Sequence, residues 1–494
     1  MANTQELKQV LTRKQSILQG DAQRIAKQRA AGKLTARERV AKLLDQGSFV
    51  ELDALVSKDG DYSGVVTGYG TVQNRPVYLF AQDFTVHGGA MGEMQAEKIC
   101  KVLDLALKTG APVIALCDSA GVRIDEGAAG MNAYSKVFAH MSRMSGVCPM
   151  IALILGPVCG GAAMIAQLAD ISIEAENVGR LMVYGPTVVS AVTGDEVDSK
   201  SLGGAENMSK QGGVSVSCKN EEEAIDLAIQ LLDMLPGSNM EEAPIVDADD
   251  LNRMFGDVEA SDCYGLMSAM ADRGAYVELY PLWGPELRTA LARVGGATVG
   301  LVVSDAAQEN GELTPAGCAK TARFVRFCDC FSIPVVTLIN SCGVKVPGTK
   351  SQSWTMITTS QLLYAYAEAT IPKVSVIVGN AIGQAYIALG GKANADVTYA
   401  WPGSVIAALA PNAAVQVLYA DELKASDKAP LETRKELEKN YAENVADGVA
   451  AAMRGMIDDV IDPEETRKYV IAALEMLESK HDSNPPKKHG NMPL

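Results

Sequence analysis

APVIALCDSAGVRI at residues 111–124 and IPVVTLINSCGVKV at residues 333–346 are one pattern written twice, 222 residues apart. Pro112, Val113, Leu116, Ser119, Gly121 and Val122 reappear as Pro334, Val335, Leu338, Ser341, Gly343 and Val344. Asp118 stands against Asn340, and Arg123 against Lys345. Downstream, CPMIALILGPVCGGA (148–162) pairs with IPKVSVIVGNAIGQA (371–385) at an offset of 223. Upstream, the alternation in Arg75 to Leu79 recurs in Ala297 to Leu301. Three segments in one order at nearly constant spacing mark a fused duplication.

Within each copy the spacing predicts a strand (76–80, then 298–303) and a helix (93–108, then 316–330). A short apolar strand (113–117, then 335–339) leads to a Gly-containing loop. A further amphipathic helix, a second apolar strand and a second Gly turn complete the copy. Alternating strands and helices with wholly apolar strands predict a parallel sheet covered by helices, hence an α/β fold. Residues 1–45 are Lys- and Arg-rich with helical spacing through Gln9–Ala31 and Thr35–Leu44, and predict an N-terminal helical arm. The acidic, Pro-containing stretch 236–262 predicts a linker at 241–262, separating domains 1–240 and 263–494.

The formal charge of −16 argues against nucleic acid or an anionic membrane as a main partner. The ten cysteines contain no CxxC pair, and most sit in apolar runs, which predicts buried free thiols in a reducing cytoplasm. Nothing between Arg143 and Asp170 is charged, yet Gly156-Pro157 and Gly160-Gly161 interrupt the run, so a strand, a turn and a helix fit better than a bilayer span.

Conventional catalytic side chains are scarce. The four histidines have no metal-ligand spacing, so no metal is expected, and no GxSxG, P-loop or GxGxxG context occurs. Backbone donors are the natural alternative. In each copy an apolar strand ends in glycine and small residues open a helix: Gly160-Gly161-Ala162 and Gly383-Gln384-Ala385. Amides at a helix start suit a developing oxyanion. The neighbouring loops, Ala120-Gly121-Val122 and Cys342-Gly343-Val344, are placed to add a second donor. Arg123 and Glu126 read equally as ligand contacts or as a charge pair, His87 reads as a structural loop residue, and Trp354, Tyr364 and Tyr366 are expected to pack.

QDFTVHGGAMGEMQAEKI (82–99), SAGVRIDEG (119–127), GPVCGGAA (156–163), ARFVRFCDCFSIP (322–334), LLYAYAEATIPK (362–373), YAWP (399–402), KKHGNMPL (487–494) and GKLTARERVAKLLDQGSFVELD (32–53) together resemble the carboxyltransferase subunits of biotin-dependent acyl-CoA carboxylases and decarboxylases. The resemblance implies a tandem duplication of a crotonase-like superhelical fold. It implies transfer of a carboxyl group between N1 of biotin, on a separate carrier protein, and the α-carbon of a short acyl-CoA, propionyl- or methylmalonyl-CoA foremost. Gly160 and Gly161 amides would hold the thioester oxygen, with Ala120, Gly121, Val122 and Ala162 on the acyl-CoA side. Gly383, Gln384 and Ala385 would polarise the biotin oxygen, with Gly343, Val344, Tyr386 and Ile387 around it. Each active site would lie between the first domain of one chain and the second domain of another, in a homohexamer of two stacked trimers. Further partners would be a biotin carboxylase or a membrane decarboxylase subunit.

Departures from the family pattern gather in the second copy. Asn340 to Gly348 replaces D-V-P-G-F-L-P-G, Gln384 replaces a glycine, and Ile387 follows Tyr386 where an Asp is frequent. In the first copy Ser119-Ala120-Gly121-Val122-Arg123 stands for S-G-G-A-R. Two other readings stay open: a scaffold homologue paired with an active subunit, and a biotin-independent acyl-CoA decarboxylase.

Overall fold

The computed structural model describes residues 4–58, 61–425 and 430–493. The chain packs as two compact units, Met1–Glu242 and Ala243–Leu494. In the first, the strands Val50–Leu52, Val65–Val72, Arg75–Gln82, Val113–Ser119, Met150–Cys159, Ile171–Ala175 and Val216–Cys218 lie side by side, and Arg180–Met182 pairs with the far end of Met150–Cys159. In the second, the order is Tyr276–Leu279, Leu287–Val294, Ala297–Ser304, Val335–Ser341, Lys373–Ile382, Val397–Ala400 and Asp459–Val460, with Val405–Ala407 on Lys373–Ile382.

The duplication extends to register. Tyr78 pairs with Val113 and Val113 with Met150; Gly300 pairs with Val335 and Val335 with Lys373. Both sheets carry the same irregularity, between Cys117 and Ser119 and between Ile339 and Ser341. Each unit also buries one lysine at the same helical position, Lys98 and Lys320, whose Nζ donates to the carbonyls of Val65 (2.8 Å) and Tyr280 (3.2 Å). Burial lowers both amines, Lys98 to about 8 and Lys320 to about 7.

The sheets are mixed, which corrects the expectation of a purely parallel sheet. The first three strands of each are antiparallel, and only the later ones pair in parallel. Gln73 and Asn74, with φ of 51° and 64°, close one hairpin, and Gly295 and Gly296, with φ of 62° and 84°, close its counterpart. Val65–Val72 reads VVTGYGTV, and its glycines hide the strand signal. Gly68 is required there because a Cβ would sit 2.3 Å from the Val50 carbonyl oxygen.

Val113–Ser119 is buried at every position, as a central parallel strand demands. The helices Glu93–Thr109 and Ala128–Met144 cover one face through Ile99, Leu103, Val137 and Met141. The arm forms helices Thr4–Gln19, Ala22–Ala30 and Ala36–Leu43, the last started by a Thr35/Glu38 capping box. Residues 243–262 hold no helix or strand and lie against the second unit: Phe255 packs on Trp401, and the Asn340 amide donates to the Ala260 carbonyl at 2.9 Å. The uncharged stretch resolves into the strand Met150–Cys159 and the helix Gly161–Leu168. No helix among the described residues is long and apolar enough to cross a membrane.

Candidate functional site

In the first unit the strand Met150–Cys159 ends at Gly160, whose φ of 59° and ψ of −125° belong to glycine, and the helix Gly161–Leu168 begins at once. A Cβ on Gly161 would lie 2.7 Å from ring atoms of Tyr134, so the helix can start against that ring only with glycine. In the second unit Lys373–Ile382 ends at Gly383, φ 52°, followed by Gln384 and Ala385 in helical conformation. There the chain continues as a π-helix, Tyr386–Gly390, instead of the α-helix of the first unit. Such wide turns are rare and concentrate at functional sites.

The neighbouring loops match equally well. Gly121 and Gly343 have φ of 111° and 105°, and a Cβ on either would stand 3.3 Å from the carbonyl oxygen of Cys159 or Ile382. In each unit, therefore, the loop touches the end of the strand that carries the helix-opening turn.

Following every amide in these turns shows which donors are committed. Gly160 N–H donates to the carbonyls of Met182 (3.0 Å) and Val183 (3.1 Å), and Gly383 N–H donates to that of Ala407 (2.8 Å). The expectation that Gly160 and Gly383 offer their own amides to a ligand is thereby corrected. The positive-φ turn swings each N–H back onto the parallel strand alongside. Gly161, Gln384 and Ala385, the next amides, have no backbone acceptor among the described residues.

In the loops, Ala120 N–H donates to Gly88 (2.9 Å) and Arg123 N–H to Met91 (2.8 Å), while Gly121 N–H donates to Ser119 Oγ (3.2 Å). Cys342, Lys345 and Gly343 repeat this with Gly311 (3.2 Å), Leu313 (3.0 Å) and Ser341 Oγ (3.4 Å). Val122 keeps its N–H without an acceptor among the described residues, and Val344 occupies the corresponding place. Each unit thus presents a valine amide from a loop and the opening amide of a helical turn. Two such donors around one oxygen are the geometry of an oxyanion site. In the first unit the dipole of Gly161–Leu168 adds to them.

Tyr134 fixes this arrangement, its hydroxyl donating to the Gly121 carbonyl at 3.0 Å. Burial pushes that hydroxyl far above the usual phenol range, so it stays protonated. Ala162 and Ala385 are buried, Val122 and Val344 half-buried, and Ala120 and Gln384 exposed. Tyr386 turns its hydroxyl to the Met456 carbonyl (2.8 Å), while Ile387 is 52% exposed. Arg123 pairs with Asp125 at 2.5 Å, and Glu126 accepts from Glu93 N–H at 2.9 Å. His87 is exposed at φ 50°, in the 3-10 turn that matches Glu309–Gly311. Tyr366 is buried and bonded to Thr337 (2.9 Å), but Trp354 is 54% exposed, contrary to the expected packing.

One cluster escaped the sequence reading. Arg39 is fully buried and donates to Asp118 (2.9 Å), Glu221 (2.7 Å) and the Leu155 carbonyl (2.6 Å), while Lys33 reaches Asp118 at 2.7 Å. The helical arm is thereby pinned to the base of the Ser119–Arg123 loop. Its partners lie 79 and 182 residues away, so no local signal announces it.

Residues 27–492 match the carboxyl transferase domain family. The chain is 40% identical to the methylmalonyl-CoA decarboxylase subunit alpha of Veillonella parvula, covering 100% of both chains. It is 42% identical to a putative propionyl-CoA carboxylase beta chain of Bacillus subtilis, covering 98% of both. Transcarboxylase 12S, a hexamer solved with methylmalonyl-coenzyme A and methylmalonic acid bound, superposes with a TM-score of 0.94 at 36% identity, over 100% of this chain and 99% of that one. A duplicated crotonase-like unit that keeps the same amide turns in both copies, matched along nearly its whole length, belongs to the carboxyl transferase domain family.

Proposed function

We propose that the chain is the carboxyltransferase component that moves a carboxyl group between carrier-linked biotin and the α-carbon of a short acyl-CoA, methylmalonyl- or propionyl-CoA foremost. The observation that carries this reading is the set of uncommitted amides, Val122 with Gly161 in the first unit and Gln384 with Ala385 in the second, where Val344 occupies the place of Val122. A transfer between two carbonyl-type groups needs two oxyanion sites, and a duplicated unit offers one of each.

In the first unit the Val122 and Gly161 amides hold the thioester oxygen as negative charge gathers on it during enolate formation. The Gly121 and Ala162 positions are small enough for the carbonyl to approach the backbone. In the second unit the residues fit a ureido oxygen: Gln384 points its side chain outward and keeps its N–H, so replacing glycine there leaves the donor intact. Biotin, borne on a separate carrier protein, supplies the carboxyl carrier and the N1 base when bound. The chain's own task is to orient both oxygens and stabilise their charge, and losing one donor costs about 10²–10³ in rate at comparable sites. The hexamer assembly of transcarboxylase 12S supports a homohexamer for this chain, and the reading places it in the cytoplasm with a biotin carboxylase or a membrane decarboxylase subunit as its further partner.

The test is a carboxyl-transfer assay with the purified full chain and free biotin, offering methylmalonyl-, malonyl- and glutaconyl-CoA in turn. Biotin-dependent loss of carboxylate from methylmalonyl-CoA is expected. Equal loss without biotin would replace this reading with a biotin-independent decarboxylase. Tight CoA binding without turnover, even with a biotinylated carrier, would leave a scaffold.

A further inference from the structure

Behind their Gly-containing loops the two units differ at four positions related by the 222-residue offset. Gly64, Gln82, Gly92 and Gln95 of the first become Glu286, Ser304, Thr314 and Gly317 of the second. In the first unit the support is a pair of neutral amides. Gln95 Nε2 donates to the carbonyls of Gly64 (3.2 Å), Gly89 (3.4 Å) and Ala90 (3.4 Å), and Gln82 Nε2 donates to Gln95 Oε1 (3.2 Å). Gly92, at the start of the helix Glu93–Thr109, brings no side chain to cap it.

In the second unit a buried carboxylate takes that place. Glu286 is 1% exposed, and its Oε1 accepts from both Thr314 N–H (2.9 Å) and Thr314 Oγ (2.6 Å). Thr314 in turn caps the helix Pro315–Cys330, accepting from Gly317 N–H at 3.2 Å. The replacements depend on one another, because a Cβ on Gly317 would run into Glu286 Oε1. Glu286 Oε2 has no hydrogen-bond partner among the described residues, so the hydrogen bonds of this side chain go to Thr314. Bonds to a carboxylate are roughly twice as strong as bonds to a neutral acceptor.

Thr314 directly follows the short strand Glu312–Leu313, and the loop 342–344 is laid on that strand. Glu312 pairs with Gly343 and Leu313 with Val344. Cys342 N–H donates to the Gly311 carbonyl at 3.2 Å, and Lys345 N–H to that of Leu313 at 3.0 Å. We infer that Glu286 is a positioning residue for the second-unit site: through Thr314 it fixes the strand that carries Val344, and so serves the biotin half of the reaction and not the acyl-CoA half. A support of this kind acts on rate through geometry, since small displacements of a donor are costly in a preorganised site. This inference rests on the carboxyltransferase reading for the identity of the second ligand.

The experiment measures biotin-dependent loss of carboxylate from methylmalonyl-CoA with the full chain and, separately, coenzyme A binding by calorimetry. Both are run at pH 8, where the neighbouring Lys320 amine, lowered by burial to about 7 against the pull of Glu286, is mostly neutral. Glu286→Ala is expected to lower kcat/KM for biotin about 10- to 100-fold and to leave coenzyme A affinity within about twofold. Glu286→Gln, whose side-chain oxygen still accepts from Thr314, is expected to recover most of that loss. Thr314→Ala, a smaller lesion that spares the backbone N–H, is expected to lower the same parameter a few-fold and to decide the matter if Glu286→Ala does not fold. Wild-type biotin kinetics in Glu286→Ala or in Thr314→Ala overturns the inference, as does an equal fall in coenzyme A affinity or a Glu286→Gln variant as slow as Glu286→Ala. Each of these leaves the carboxyltransferase reading standing, whereas absence of biotin-dependent turnover in wild type overturns both.

Discussion

Replacing Glu174 with Gln removes a buried carboxyl that no hydrogen bond among the described residues supports. Glu174 is 0% exposed on the strand Ile171–Ala175, and neither of its oxygens has a hydrogen-bond partner among the described residues. Its nearest cation, Arg180, spends its guanidinium on the Glu176 and Gly179 carbonyls. Burial therefore pushes the carboxyl up to about 8, with Arg180 opposing and Glu176 assisting the shift. In the unfolded chain the same group titrates near about 4.3. The folded state thus binds the proton more tightly, so the contribution is fully present below about pH 4 and is lost as pH rises toward 8. At about 1.4 kcal/mol per pH unit, the loss is about 5 kcal/mol over the whole window, of which about 2 kcal/mol falls between pH 6 and 8. Glu174→Gln lacks this titration. Denaturant unfolding of wild type and variant at pH 6 and at pH 8.5 isolates it, because every other group's pH dependence cancels in the difference. The variant is expected to gain about 2 kcal/mol relative to wild type on moving to pH 8.5. A difference that stays constant between the two pH values would refute a neutral, buried Glu174.

Gly121→Ala and Gly343→Ala should each destabilise their own unit by about 1–3 kcal/mol, since both force a Cβ into positive φ and against a carbonyl at 3.3 Å. Denaturation midpoints that differ widely between the two variants would contradict the equivalence of the loops. Arg39→Met leaves Asp118 and Glu221 buried with only Lys33 beside Asp118, and is expected to cost about 3–5 kcal/mol by chemical denaturation; a cost below about 1 kcal/mol would show the cluster to be dispensable. Tyr134→Phe removes the 3.0 Å bond to the Gly121 carbonyl and should cost about 1 kcal/mol of stability with a few-fold fall in kcat/KM, read by steady-state kinetics and thermal unfolding together.

Repetition made the architecture legible. Residues 113–119 and 335–341 share both an apolar pattern and a loop glycine, and the structure places them at one register in their sheets. The antiparallel hairpin of the first unit was hidden because Gly68 and Gly70 are demanded by close neighbours and dilute the β signal of their strand. The site was readable as a pair of turns but not as a set of donors. Which amide is committed depends on the strand beside it, and only the fold shows that Met182 and Ala407 take up Gly160 and Gly383. Arg39 was unreadable for a related reason, because its meaning lies in carboxylates far along the chain.

The most direct test of the amide account uses Gln384, whose exposed side chain separates the role of the backbone from that of the residue. Proline is tolerated at the first position of a helical turn, where its ring suits the helical φ and its N–H is missing. Biotin-dependent loss of carboxylate from methylmalonyl-CoA would be measured for wild type, Gln384→Ala and Gln384→Pro, alongside coenzyme A binding. Gln384→Ala should keep wild-type turnover, and Gln384→Pro should bind coenzyme A normally while losing about 10²–10³ in rate. Wild-type turnover in Gln384→Pro, or an equal loss in Gln384→Ala, would contradict a second-unit oxyanion site built from backbone amides.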